Sequence, residues 1–359
     1  MYMATNTKVA FIGTGIMGEP IAEHILDAGY DLTVYNRTEK KAEPLIQKGA
    51  HWAPSAGDAA KGAGVIFTML GYPDEVEDTY LTKNGLIRRS KKGAYLIDLT
   101  TSSPQLARDI HDSCEIDDKH AFDCPVTGGE GGAKAGTLTL IIGATEDTAE
   151  PVLPILKTFS KKIYYFDEAG RGQIAKLCNQ ICVAANLLGG AEALALARWS
   201  GLDQRSVLDM ISDGMGSSRQ LEQLLPKAIS GDYRPGFKNI HLRKDLALAL
   251  RQAEEKHLEI PQTEAAFALF DTLVHIGGAK MGTQAASLLF EDDDTTKKAG
   301  LDWALLEEAD DPIDPDDERA VQQISTPSSK KRSGTQKTAG PQQNPKHERK
   351  GRRERLERQ

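Results

Sequence analysis

The stretch FIGTGIMGEP, Phe11 to Pro20, sets Gly13, Gly15 and Gly18 in the spacing G-x-G-x-x-G. Alone, that spacing describes either a dinucleotide loop or a glycine-rich turn with no ligand. Its flanks favour the loop: the apolar run KVAFIG precedes it as a strand, and GEPIAEHILDAGY follows with helical spacing and a glycine stop. In that setting Gly13 allows a tight turn, Gly15 lets phosphates approach the backbone, and Gly18 lets helix and strand pack closely. The helix N-terminus then faces the pyrophosphate charge. Gly13, Gly15, Ile16, Met17 and Gly18 are the expected contacts.

Outward from the loop, strand-like and helical runs alternate. DLTVYNR, GVIFTML, AYLIDLT, LTLIIG and KKIYYFD are apolar runs separated by segments of helical periodicity. Such a pattern predicts a parallel sheet covered on both faces. The fold class is therefore α/β, with this parallel sheet in an N-terminal domain over residues 1–168. From Gly172, QIAKLCNQICVAANLLGGAEALALARWSGL is apolar on most sides and predicts a long buried helix. Helical segments continue without strand patterns, so an all-α domain is expected over residues 169–290.

Residues 291–359 read as a charged, disordered tail. Residues 291–318 carry thirteen Asp/Glu against two Lys, and residues 330–359 carry eleven Lys/Arg against three Glu. Such stretches bury too little apolar surface to offset ordering entropy. Leu301, Trp303, Leu305 and Leu306 form an amphipathic turn able to dock back on the body. The basic stretch 330–359 reads as part of a solubilising ampholyte, with attachment to nucleic acid or another anionic surface as the alternative.

The remaining composition narrows the class. With 359 residues, 40% of them hydrophobic and 6% aromatic, the chain suits a soluble α/β protein of two domains. The body to Phe290 is mildly acidic, which gives no reason for a nucleic-acid partner there. Cys114, Cys124, Cys178 and Cys182 include no C-x-x-C pair and have no histidine placed to complete a metal set, so free thiols and no metal are expected. MYMATNTKVAF lacks the basic and apolar regions of a signal peptide, and no apolar run is read as long enough to cross a bilayer. A cytoplasmic protein without a membrane partner is the expectation.

The end of the second strand bears on cofactor choice. An NAD site usually offers Asp or Glu about 20 residues past the glycine loop. Here stand Asn36, Arg37 and Thr38, with Lys40 and Lys41 behind them. Arg37 can pair with a 2′-phosphate and Thr38 can donate to it, so NADP is favoured with NAD possible. Arg37 as an ordinary solvated residue would leave the preference open.

Two further stretches bear on chemistry. In DCPVTGGEGGAKAGTL, Thr127, Gly128 and Gly129 form a flexible loop after a strand, where glycine amides beside a hydroxyl suit a small carboxylate. A plain glycine hairpin is the competing reading. In GRGQIAKLCNQ, Lys176 lies in an apolar helix with Asn179 and Gln180 on its face. It snorkels, pairs or is used; burial would lower its pKa toward that of a proton donor and acceptor.

Four motifs in order, FIGTGIMGEPIAEHIL, DLTTSSP, DCPVTGGEGGAKAGTL and GRGQIAKLCNQ, are followed by LRKDLALAL. Over residues 8–290 the chain resembles the β-hydroxyacid dehydrogenases, the group of 3-hydroxyisobutyrate dehydrogenase and tartronate semialdehyde reductase. The resemblance implies an oxidoreductase in which a Rossmann-type, doubly wound N-terminal domain is joined by a long interdomain helix to a helical domain, with the site between the two and Lys176 as catalytic acid/base. It places Leu70, Thr101 and Lys244 at the cofactor, and Thr127, Gly128, Gly129, Asn179 and Gln180 at a small carboxylate-bearing substrate. Thr127 stands where the family usually has serine, Asn179-Gln180 departs from the two asparagines of 3-hydroxyisobutyrate enzymes, and the tail is foreign to the pattern. A small β-hydroxy acid or its semialdehyde is the expected substrate. A glyoxylate or succinic semialdehyde reductase is the alternative, and a non-catalytic cofactor-binding protein with a partner-binding tail is the rival from another class. Imine reductases share the architecture but typically lack the lysine. The long apolar helix suggests a homo-oligomer.

Overall fold

Val9, Ala10, Phe11 and Ile12 are all buried, because β1 (Lys8–Ile12) lies inside a sheet with helices on both faces. Alternate residues serve opposite faces. Val9 and Phe11 join Ile21, Ala22 and Ile25 of the helix Gly18–Asp27. Ala10 and Ile12 join Val76 and Tyr80 of the helix Pro73–Leu81, with Leu106, Ile110 and Cys114 of the helix Pro104–Ile116. The computed structural model describes residues 7–306, all within one unit, Met1–Ser325.

The main sheet continues with β2 (Asp31–Tyr35), β3 (His51–Trp52), β4 (Val65–Thr68), β5 (Tyr95–Asp98) and β6 (His120–Asp123). All neighbours run parallel, in the order β3-β2-β1-β4-β5-β6. The winding reverses between β1 and β4, which leaves a crevice at the carboxyl ends of these strands. The glycine loop leaves β1 there. The Rossmann-type architecture is as expected.

The later strands differ from expectation. LTLIIG and KKIYYFD supply β8 (Leu138–Ile142) and β9 (Ser160–Tyr165), but these form a second sheet with β7 (Val126–Thr127). β8 runs parallel to β9 and antiparallel to β7. Pro125 has no amide hydrogen to continue a ladder between β6 and β7, and the chain leaves the main sheet at that point.

Beyond β9 the described residues are helical, with one isolated bridge between Lys238 and Gly282. The helix Arg171–Trp199 spans 29 residues. By length and composition alone it could cross a membrane, contrary to the expectation that no run was long enough. Its Leu187, Leu188 and Leu194 pack with Leu225, Leu242, Leu246 and Phe270 in the helical core, which accounts for its apolar character. Asp123 fixes where this helix starts: Oδ1 accepts from Gly170 N and Oδ2 from Gln173 N, both at 2.7 Å. A carboxylate there satisfies two amides that the helix cannot.

The helical core reaches past Phe290, where the tail was expected to begin. A helix Asp293–Lys298 is capped by Asp292, whose Oδ1 accepts from Thr295 N at 2.8 Å. Leu301 is buried in the helical core, and Trp303 packs against it. Leu305 and Leu306 of the expected docking turn remain exposed. The tail reading beyond Leu306 lies outside the described residues.

Candidate active site

Gly13 has φ +99°, and a Cβ there would stand 2.2 Å from Met69 O; on Gly18 it would stand 1.8 Å from Gly13 O. These two glycines let the turn close. Gly15 differs, since a Cβ there would meet nothing within 4 Å. The backbone at Gly15 therefore faces open space. Thr14 Oγ1 is buried without a hydrogen-bond partner among the described residues, and the helix Gly18–Asp27 begins with no side-chain cap. Ile16 is exposed and Met17 half-buried beside this helix. An open glycine, an orphaned hydroxyl and uncapped amides at one turn fit a dinucleotide pyrophosphate.

Asn36 shapes the end of β2. Its Oδ1 accepts from Thr14 N at 3.1 Å, and its Nδ2 donates to Thr38 O at 2.9 Å. Arg37 and Thr38 are exposed. The Arg37 guanidinium is not solely solvated: Nη1 lies 3.1 Å from Glu75 Oε1.

The other end of the crevice is tied to the helical part. Leu70 N donates to Thr100 Oγ1 at 2.9 Å. Lys244, from the helix Asn239–Glu254, donates through Nζ to Thr101 O. Gln173 is fully buried; its Oε1 accepts from Ser102 N at 2.9 Å, and its Nε2 donates to Thr100 O at 2.8 Å. Beneath this loop Asp98 Oδ1 accepts from Thr68 Oγ1 at 2.7 Å and Thr100 N at 3.1 Å. Burial pushes the Asp98 carboxyl up to about 6 despite those bonds.

Lys176 does not snorkel, being only 7% exposed. Burial lowers its pKa to about 8; Asp245 opposes the shift, and the Lys244 charge adds to it. Gln180 Nε2 donates to Asp245 Oδ2 at 2.6 Å, and Asn179 Nδ2 donates to Gln180 Oε1 at 2.8 Å. Asp245 Oδ1 lies 3.1 Å from Lys244 Nζ, an ion pair without hydrogen-bond alignment. One buried carboxylate thus pairs with Lys244 and Gln180 and acts on Lys176 through its charge. Nearby, burial and the charges of Lys244 and Lys238 bring the His241 imidazole down to about 3, so it is neutral near pH 7.

Thr127 pairs with Thr139 across β7 and β8, and the helix Gly129–Lys134 follows directly. The expected flexible loop is therefore a short strand and a helix joined at Gly128 (φ +132°) and Gly129 (φ +62°), conformations that favour glycine. No hydrogen bond among the described residues ties Thr127, Gly128 or Gly129 to Lys176. Among the described residues there is also no His/Cys/Asp/Glu cluster able to hold a metal.

Gln173, Asp245, Asp123, Asp98 and Glu75 were missed from sequence. Gln173 had a local signal, standing three residues before Lys176 on the same helix, and Asp245 follows Lys244 in RKD. Asp123, Asp98 and Glu75 each also hold a partner distant in sequence, namely Gly170 and Gln173, Thr68, and Arg37.

A parallel sheet whose crevice fits a dinucleotide, followed by a long helix into an all-helical part, is the architecture of an NAD(P)-binding oxidoreductase. Residues 8–167 match the NAD binding domain of 6-phosphogluconate dehydrogenase. Residues 170–289 match the NAD-binding domain of NADP-dependent 3-hydroxyisobutyrate dehydrogenase. The chain belongs to the β-hydroxyacid dehydrogenase family, of the NAD(P)-dependent, 3-hydroxyisobutyrate dehydrogenase-like type. It is 43% identical to the uncharacterized oxidoreductase YkwC of Bacillus subtilis (strain 168) over 277 residues, 77% of this chain and 96% of that one. It is 34% identical to a 3-hydroxyisobutyrate dehydrogenase of Pseudomonas aeruginosa over 271 residues, 74% of this chain and 91% of that one. A solved Mycobacterium tuberculosis 3-hydroxyisobutyrate dehydrogenase with L-serine superposes with a TM-score of 0.73 at 28% identity, covering 80% of this chain and all of that one.

Proposed function

We propose that the chain moves hydride between NADP(H) and a small β-hydroxy acid or its semialdehyde, with Lys176 as general acid/base. The observation that carries this reading is the buried Lys176, whose pKa of about 8 suits both protonation states near neutrality. The nicotinamide, when bound, supplies or accepts the hydride. In reduction the Lys176 ammonium gives a proton to the substrate carbonyl oxygen; in oxidation the neutral amine takes the hydroxyl proton. Gln180, fixed by Asp245, holds the Asn179 amide and so sets the polar face beside the lysine. Lys244 holds Thr101 O, which ties the helix Asn239–Glu254 to the loop after β5. Thr127, Gly128 and Gly129 take the substrate carboxylate, and the Thr127 methyl favours a small substrate. Arg37, Thr38 and the lack of an acid at positions 36–38 favour NADP(H).

The test is consumption of NADPH against NADH with tartronate, methylmalonate and succinate semialdehydes and glyoxylate. The reverse reaction is assayed with 3-hydroxyisobutyrate and with L-serine, the ligand of the similar mycobacterial protein. NADPH-preferring turnover of a semialdehyde supports the reading. Bound NADPH with no turnover of any substrate supports the non-catalytic alternative.

A further inference from the structure

Glu75 stands between the two ends of the cofactor crevice. It is the third residue of the helix Pro73–Leu81, and its carboxylate reaches back out of the helix. Oε2 accepts from Gly71 N at 2.9 Å, directly after Leu70, while Oε1 lies 3.1 Å from Arg37 Nη1 at the end of β2. A Cβ on residue 71 would lie 2.9 Å from Glu75 Oε2 and 3.6 Å from His241 Cε1, so the glycine makes room for this carboxylate. The two partners are unequal. The Arg37 side chain is 80% exposed and that of Glu75 only 25%, with Glu75 held by a backbone amide. Glu75 is the anchor, and Arg37 is the side chain free to turn away.

We propose that Glu75 is a specificity-determining residue for the cofactor, competing with a 2′-phosphate for Arg37. The proposal rests on the reading that a dinucleotide binds at the glycine loop with its adenosine ribose toward Arg37. Arg37 pairs well with a phosphate, yet the fixed Glu75 carboxylate already occupies one edge of its guanidinium. A ribose with a free 2′-hydroxyl meets no such conflict, because a carboxylate accepts from a hydroxyl. The acid that positions 36–38 lack in sequence is supplied in space by Glu75, 38 residues from Arg37 in the chain. Arg37 alone would favour NADP(H) strongly. With Glu75 beside it the site keeps NADH within reach.

Glu75→Gln removes the charge and keeps an acceptor for Gly71 N. The experiment titrates the full chain with NADPH and with NADH, reading binding by calorimetry without substrate, for wild type, Glu75→Gln, Arg37→Gln and the double variant. In Glu75→Gln the ratio of the NADH to the NADPH dissociation constant is expected to rise about tenfold, mainly through tighter NADPH. In the Arg37→Gln background the same change is expected to move the ratio less than about twofold. An unchanged or lower ratio in Glu75→Gln overturns the role of Glu75. An equal rise with and without Arg37 overturns competition for that residue. Failure of the wild type to bind either nucleotide would overturn the dinucleotide reading and this proposal together, whereas binding without turnover leaves this result intact.

Discussion

Gln180 Nε2 lies 2.6 Å from Asp245 Oδ2, joining the helix that carries Lys176 to the helix that carries Lys244. The same carboxylate raises the Lys176 pKa against the effect of burial. Asp245→Asn keeps an acceptor for Gln180 but removes that support, so the lysine titrates at lower pH. In wild type, kcat/KM for aldehyde reduction is expected to hold below about pH 8 and fall above it, as the proton donor is lost. In Asp245→Asn the falling limb moves to lower pH. A pH profile of both proteins checks this; a limb that stays or moves upward counts against the assignment.

The glycine loop offers a contrast between packing and binding. Gly18→Ala places a Cβ 1.8 Å from Gly13 O and is expected to cost about 3 kcal/mol or more. Gly15→Ala meets no protein atom within 4 Å, so its stability should stay within about 0.5 kcal/mol of wild type. Its NADPH affinity, however, should fall about tenfold or more, because the added methyl fills space the pyrophosphate needs. Denaturant midpoints and nucleotide titration separate the two effects. Unchanged NADPH affinity in Gly15→Ala would argue that the phosphates lie elsewhere.

Gln173 holds both Thr100 O and Ser102 N from full burial. Gln173→Ala leaves both backbone groups without this partner, at a cost of about 2–4 kcal/mol by urea unfolding. Because Leu70 N is held by Thr100 Oγ1, the cofactor KM should rise in parallel. A stability loss with no change in cofactor KM would show that the loop does not reach the cofactor.

Asp98 gives a stability signature with a defined sign. Its carboxyl titrates at about 6 in the folded chain, against 3.8 without the fold's burial. Between those pH values the folded state binds the proton and the unfolded state has released it. This group's contribution therefore falls as pH rises from about 4 to about 6, by on the order of 3 kcal/mol, and is level above that window. Asp98→Asn removes the slope. Urea midpoints of the two proteins across that range should converge on one trend if the assignment is wrong.

What was readable in the sequence follows the range of the forces involved. β1 and the glycine loop are contiguous, and burial on both faces forces a continuous apolar run, so the Rossmann-type part announced itself locally. Lys176 was readable because it is the one cation inside a long apolar helix whose other cations, Arg171 and Arg198, stand at its ends. The second sheet was hidden, since β7 has only two residues and nothing in LTLIIG states which partner it takes. Leu301 and Trp303 were readable as residues able to dock back on the body, but among the acids around them nothing showed that the helical core continues past Phe290. Arg37 was recognised without Glu75, and Lys176 without Asp245. Contacts between distant residues, such as Gln173 with Thr100 and Gly170 with Asp123, need the fold before they can be seen.

Lys176→Ala tests the central claim most directly. Single-turnover reduction of the best semialdehyde by NADPH should slow about a thousandfold or more in the variant, while the NADPH dissociation constant stays within about twofold of wild type. A variant that binds NADPH normally and keeps its rate within tenfold would contradict the account, and Lys176 would be a buried structural lysine.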